Sequence, residues 1–266
     1  MSEDYRLAYG THASPEDGRC AMEWVSHLAG EAHSDEPRCV SPVLRAFATT
    51  FNDSLDDEPR QGLRPYLART IGTADDGLDE ARSWMALDWL IRTYTPAWLE
   101  LAALSEPARA LAALPEVTGP DELRAALPEL VRARHHARAG RGVARAAAWA
   151  AWAAGRATAR EAAWNSAGAA AWAAARVGVG EIAGDRARAM ARDIAADAAT
   201  AVAREARSGT SRAAAREAVR TALAPTLRGL ERSAFALLDR MLPTAPLAVP
   251  AAASAGRSEV AVHAVG

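Results

Sequence analysis

The sequence predicts an all-α protein: a compact N-terminal helical domain followed by an Ala-rich helical bundle or short solenoid. Three observations carry that reading. A hydroxyl residue precedes Pro at Ser14-Pro15, Ser41-Pro42 and Thr95-Pro96, a pairing that caps and starts helices. Residues 129–224 contain no Pro, and 39 of those 96 residues are Ala, the strongest helix former. No stretch alternates apolar and polar residues with the period of two that a half-buried strand needs.

The elements follow in order. Ser14 and Pro15 predict a helix near 15–29, with Glu16 and Asp17 at its positive end and Gly30 as a left-handed terminator, despite Gly18. Ser41-Pro42 starts a second helix near 42–51, whose apolar stripe is Val43, Leu44, Phe47 and Phe51. Trp84, Leu87, Leu90, Ile91 and Tyr94 form the stripe of a third, near 78–94. Asp75, Asp76, Asp79 and Glu80 read as acids at its N-terminal end.

The Ala-rich half must turn, because a single helix over 129–224 would run about 140 Å. Breaks are expected at Gly140–Gly142, Asn165–Gly168, Gly178–Gly184 and Ser208-Gly209. The string AAAWAA occurs at 146–151 and again at 169–174. On one straight helix Trp149, Trp152, Trp164 and Trp172 would spread over roughly 200° of its surface, so helical hairpins stacked together fit better. From Pro243 onward the composition predicts a disordered tail. The division read from sequence is therefore residues 1–128, 129–242 and 243–266.

Charge sharpens the division. Residues 1–128 carry 11 Arg against 22 acids, and residues 129–224 carry 16 Arg against 8 acids, with no Lys anywhere. A basic half can meet nucleic acid. Docking of the two halves, or Arg solvating Ala-rich helices, accounts for it more simply. Two Cys in 266 residues exclude a disulfide scaffold. No run of about 20 apolar residues escapes Arg or a helix breaker, which argues against a membrane span. The opening MSEDYRLAYG has no apolar signal core, predicting a cytoplasmic protein with reduced thiols.

Candidate chemistry concentrates in residues 12–53, with His12, Cys20, Glu23, His27, His33, Asp35, Cys39, Asn52 and Asp53. On a helix, Cys20, Glu23 and His27 share a face, and ligands one turn apart can chelate a metal. Folding back of the next segment would add Asp35 and Cys39, and such a donor set favours zinc. The same residues admit a buried apolar Cys20 in a core stripe with Trp24 and Leu28. They also admit a Cys nucleophile served by His12, His27 or His33, and a Cys20–Cys39 disulfide disfavoured in a reducing compartment. The acidic run Asp53, Asp56, Asp57, Glu58 lacks the spacing of a calcium loop and reads as a solvated loop. His135-His136 among Arg132, Arg134, Arg138 and Arg141 is basic but has no interleaved aromatic.

A longer pattern runs through His12, Ser14-Pro15, Gly18, Cys20, Met22-Glu23, Gly30-Glu31, Ser34-Asp35, Pro37 and Cys39. It continues through Ser41-Pro42-Val43, Asn52-Asp53, Gly72-Thr73, Asp88-Trp89-Leu90 and Thr95-Pro96-Ala97-Trp98-Leu99. Over about residues 9–104 it resembles a family of actinobacterial and actinophage proteins to which no activity attaches. The resemblance implies that these residues form one unit containing the polar cluster. It departs at His33, where the pattern more often has Trp, leaving His12, Cys20, Glu23, Asp35 and Cys39 as the metal-ligand set. The second half looks like the Ala-rich helical arrays of some immunity proteins. The expected function is a helical interaction module that binds a protein partner or itself, with a structural metal or polar site in its N-terminal domain. The alternatives are a zinc- or iron-dependent or thiol-dependent enzyme built on Cys20, Cys39 and His12, and nucleic-acid binding by the basic half.

Overall fold

A computed structural model describes residues 5–139, 167–178, 182–205 and 212–244. Among them every regular element is helical. The fold is all-α. The tail beyond residue 244, Trp149, Trp152, Trp164 and the Gly140–Gly142 and Ser208-Gly209 breaks lie outside the described residues.

The first helix, α1, is Ala21–Leu28, shorter than the expected 15–29. Gly18 at φ 126° takes the backbone out of the helical region, and Ser14 closes a local turn with Asp17 instead, Oγ to Oδ2 at 2.9 Å. The helix starts at Cys20, where a capping box forms. The Glu23 carboxylate accepts from the Cys20 N–H, and the Cys20 sulfur accepts from the Glu23 N–H. Its far end is as expected. Gly30, at φ 72°, lets its own N–H reach His27 O and the Glu31 N–H reach Ser26 O, the paired bonds of a Schellman terminator.

Helix α2, Pro42–Ser54, begins where the sequence puts it, with Ser41 Oγ accepting from the Val43 and Leu44 N–H groups. Its buried stripe is Val43, Leu44, Phe47, Ala48 and Phe51. Two short helices, α3 (Asp57–Arg60) and α4 (Arg64–Thr70), follow around a 3-10 turn at Gln61–Leu63.

Thr95-Pro96 does not start an independent helix. Helix α5 (Asp79–Trp89) passes through a π turn at Leu90–Tyr94 directly into α6 (Thr95–Leu101). Pro96 has no N–H and its ring crowds the carbonyl one turn back, so an ordinary α rod would break there. The π turn lets the Thr95 N–H bond Leu90 O, five residues back, and the Thr95 hydroxyl donates to the same carbonyl at 2.8 Å. Helices α7 (Ser105–Ala112), α8 (Pro120–Ala139), α9 (Ala167–Gly178), α10 (Ile182–Glu205) and α11 (Arg212–Met241) complete the described chain.

Helix α9 is wedged between α2 and α5, while α10 packs on α8 and α6 and α11 covers the rest. Only a slim helix fits the wedge. Ala170, Ala171, Ala174 and Ala175 are fully buried; Gly168 lies against the Tyr94 ring and Gly178 against the Ser83 side chain. One apolar cluster therefore runs from Leu7 to Leu242, and the expected boundary at residue 128 falls inside α8. Phe235 on α11 meets Phe51 and Tyr66 with ring centroids 4.9 and 5.9 Å apart. Polar clasps reinforce these joins: Arg82 donates to Met241 O at 2.9 Å, Arg69 to Pro243 O at 2.8 Å, and Arg134 pairs with Asp193 at 2.7 Å. No described helix is long and apolar enough to cross a membrane.

Candidate functional site

Glu23 organises the residues the sequence singled out. It occupies the first turn of α1 and is 1% exposed. Its Oε1 accepts from the His12 N–H at 2.6 Å; its Oε2 meets His12 Nδ1 at 2.8 Å and the Cys20 N–H at 2.7 Å. His33 Nε2 lies 3.8 Å from Oε1 and 2.9 Å from His12 O. Burial alone would raise the Glu23 pKa, but the His12 and Cys20 N–H groups and the His12 ring outweigh it and hold it below the ordinary range. Glu23 thus pins the N-terminal segment onto α1.

Asp35 and Cys39 make their contacts elsewhere. The Cys39 and Arg38 N–H groups bond the Glu31 carboxylate at 2.9 and 2.8 Å, and Asp35 lies beside the opening of α2 with Glu36 and Arg45. Among the described residues, no group of three or more His, Cys, Asp or Glu side chains is arranged to hold a metal ion. Both thiols are free. Burial pushes Cys20 up to about 12, with the Glu23 charge adding to it. Burial, then the Glu31 hydrogen bond and charge, push Cys39 up to about 11. Each thiol keeps its proton near neutrality, the opposite of what a nucleophile requires.

A concave feature lies at the acidic run, away from the Cys cluster. A cleft of about 960 Å³ opens between α2, the start of α3 and α9. Asp53, Asp56 and Asp57 line it with Arg60, and Ala169 and Ala173 of α9 form its floor. The slender Ala face leaves the room, and the one large side chain on it, Trp172, stands at the edge. Its ring centroid is 5.3 Å from the Arg176 guanidinium. Tyr9, 66% exposed, also lines the cleft, with the Arg60 guanidinium 5.9 Å from its ring centroid.

Tyr9 is held by its neighbours. The Asn52 amide donates to Ala8 O at 3.0 Å, and Asp53 Oδ1 accepts from the Gly10 N–H at 2.9 Å. Gly10 has φ 76°, a conformation in which a side chain would be strained. Arg60 is buried, giving Nε to Asn52 O, Nη2 to Leu55 O and Nη1 to Asp57. It fixes the α2–α3 corner and takes Asp57, one of the three cleft carboxylates, as its ion-pair partner. Asn52 and Asp53 were visible in the sequence as polar residues of the cluster, and the acidic run was visible as a loop. Tyr9 and Trp172 carried no such signal.

No family model matches the chain, no curated protein matches its sequence, and no solved structure matches its fold.

Proposed function

We propose that the protein is an all-α binding module that engages a protein partner through the cleft between α2 and α9. The cleft carries this reading. Its volume of about 960 Å³ is at the upper end of the 300–1,000 Å³ usual for ligand sites, and Tyr9 and Trp172 line it together with Asp53, Asp56 and Asp57. Zinc or iron on His12, Cys20, Glu23, Asp35 and Cys39 has less support, since the Glu23 carboxylate is engaged by the His12 and Cys20 N–H groups and His12 Nδ1, and Cys39 and Asp35 lie with other neighbours. The basic stretch of α8 supports nucleic-acid binding no better, because Arg132 pairs with Glu129 and Arg134 with Asp193. Three carboxylates on the cleft wall would repel a phosphate backbone.

The test is site-specific photo-crosslinking of the full chain in an extract of its native host. A benzophenone amino acid replaces Thr50, in the cleft wall, or Arg124, exposed on α8. A discrete adduct from Thr50 alone, lost when Trp172→Ala is added, supports the reading. An adduct of twice the chain mass identifies self-association through the same face. Equal adducts from both positions, or none from Thr50, overturn it.

A further inference from the structure

The cleft continues along α2. A smaller recess of about 340 Å³, lined by Asp35, Glu36, Pro42, Arg45 and Val177, shares Thr49 and Thr50 with the larger one. Together they follow one face of α2, from Pro42 to Ser54, and one face of α9, from Ala169 to Val177. The α2 face is about 18 Å long, the span of five or six residues of extended chain.

Its charge is uneven in a useful way. Asp53, Asp56 and Asp57 stand at one end, Asp35 and Glu36 at the other, and Thr49 and Thr50 between them. Arg45 and Arg60 are the cations among these lining residues; Arg60 bonds Asn52 O and Leu55 O and pairs with Asp57 at 2.7 Å, which leaves Asp53 and Asp56 as the acids of that end not paired with it. Like charge also accumulates behind the larger end. Glu231 of α11 lies close enough to Asp56 that burial first, and the Asp56 charge second, raise its pKa despite Arg228 and Arg232. The chain's own guanidiniums already stack on the two rings of the groove, Arg60 5.9 Å from the Tyr9 centroid and Arg176 5.3 Å from the Trp172 centroid, so an incoming cation is received by the carboxylates.

We infer that this groove binds a short Arg- or Lys-rich segment of a partner protein, laid in extended form along α2 with a cationic side chain at each acidic end. The inference rests on the cleft being the binding surface. A compact cation would fill one end only, whereas a peptide of about six residues reaches both.

Fluorescein-labelled oligo-arginines of two, four, six and eight residues, titrated onto the full chain by anisotropy, test it. Affinity is expected to rise with length to about six residues and then level, and to fall at least tenfold between 50 and 200 mM NaCl as salt screens the exposed charges. Asp56→Asn should weaken both the dipeptide and the hexapeptide several-fold. Glu36→Gln should weaken the hexapeptide alone, and Asp121→Asn with Glu122→Gln on α8 should change neither. Equal losses from all these variants mean general adsorption to an acidic surface and overturn the inference. So does spermine competing as well per molecule as the hexapeptide. Failure of every peptide, with the Thr50 adduct still formed, rejects the cationic segment but keeps the binding surface. Loss of both rejects both. Circular dichroism melts of each variant confirm that the fold is intact.

Discussion

Gly168→Ala tests the wedge directly. In an unhindered helix the change stabilises, because Gly is up to about 1 kcal/mol worse than Ala. Here the added Cβ would fall on Cε2 and Cζ of Tyr94, closer than real Cβ contacts come, and 2.8 Å from Oη. The ring has no free side to swing into. Tyr94 is buried, with Trp89 and Trp98 centroids 5.6 and 6.2 Å away. Overpacking of this kind costs about 1–3 kcal/mol, so the propensity gain is cancelled and the net expectation is a loss of up to about 2 kcal/mol. For a chain of this size that lowers Tm by up to about 8 °C. Gly229→Ala in α11 is the matched control. The nearest atom to its new Cβ is Arg232 Nη2 at 4.0 Å, so propensity acts alone and Tm should rise by about 1–4 °C. Thermal and urea unfolding followed by circular dichroism read both. A double-mutant cycle with Tyr94→Leu should recover part of the Gly168→Ala loss, since the opposing ring atoms are gone. If Gly168→Ala stabilises as much as Gly229→Ala, α9 is not seated on Tyr94 and the packing argument fails.

Three other expectations are independent of the wedge. The depressed pKa of Glu23 means that its contribution is complete above the unfolded value near pH 4.3 and is lost as pH falls through the folded one. Tm measured from pH 7 to pH 3 should therefore drop less steeply for Glu23→Gln than for the parent; parallel curves would show that Glu23 is not the acid-sensitive pin. With Cys20 near 12 and Cys39 near 11, a native thiol titration at pH 8 should find Cys39 on the order of a hundredfold slower than a free cysteine. Cys20 should stay silent until denaturant is added, and two fast thiols would contradict their placement. Ser41→Ala removes the cap of α2 and should cost about 1–2 kcal/mol. It should appear as a shifted urea midpoint with unchanged slope, and an unchanged midpoint would show that the cap is redundant.

What the sequence disclosed was local. Ser41-Pro42 and Gly30 are legible because a hydroxyl, a ring or a missing Cβ acts within a few residues of itself. Ser14-Pro15 misleads because the deciding contact is not local: Glu23 draws His12 back over α1, and Gly18 supplies the bend. Thr95-Pro96 misleads for a different reason, since the π turn solves the proline problem without ending the rod. The Ala content of residues 167–178 announces a helix but not its neighbours. Small side chains fit many surfaces, and only Tyr94 and Ser83, far away in sequence, select this one. The candidate site divides the same way. Asp53, Asp56 and Asp57 were readable as a charge run, while Tyr9 and Trp172 join them only after the wedge is in place. Cys20 has polar neighbours in the sequence, and in the fold the Cys20 and Glu23 groups cap the start of α1.

The position of α9 also sets a timetable for synthesis. The ribosome releases α2, α5 and the π turn well before the residues that close over them. At typical rates of 5–20 residues per second, the stretch from Trp89 to Gly178 takes roughly 4–18 s to make. Until it emerges, the sides of Ser83 and Tyr94 that will meet the two glycines have no cover. A nascent chain stalled in that interval carries an open trough with aromatic walls, a surface that chaperones retain and that sticks to its own kind. Folding of the first half is thus tied to completion of the second, and premature termination between the two should yield insoluble product rather than a smaller working protein.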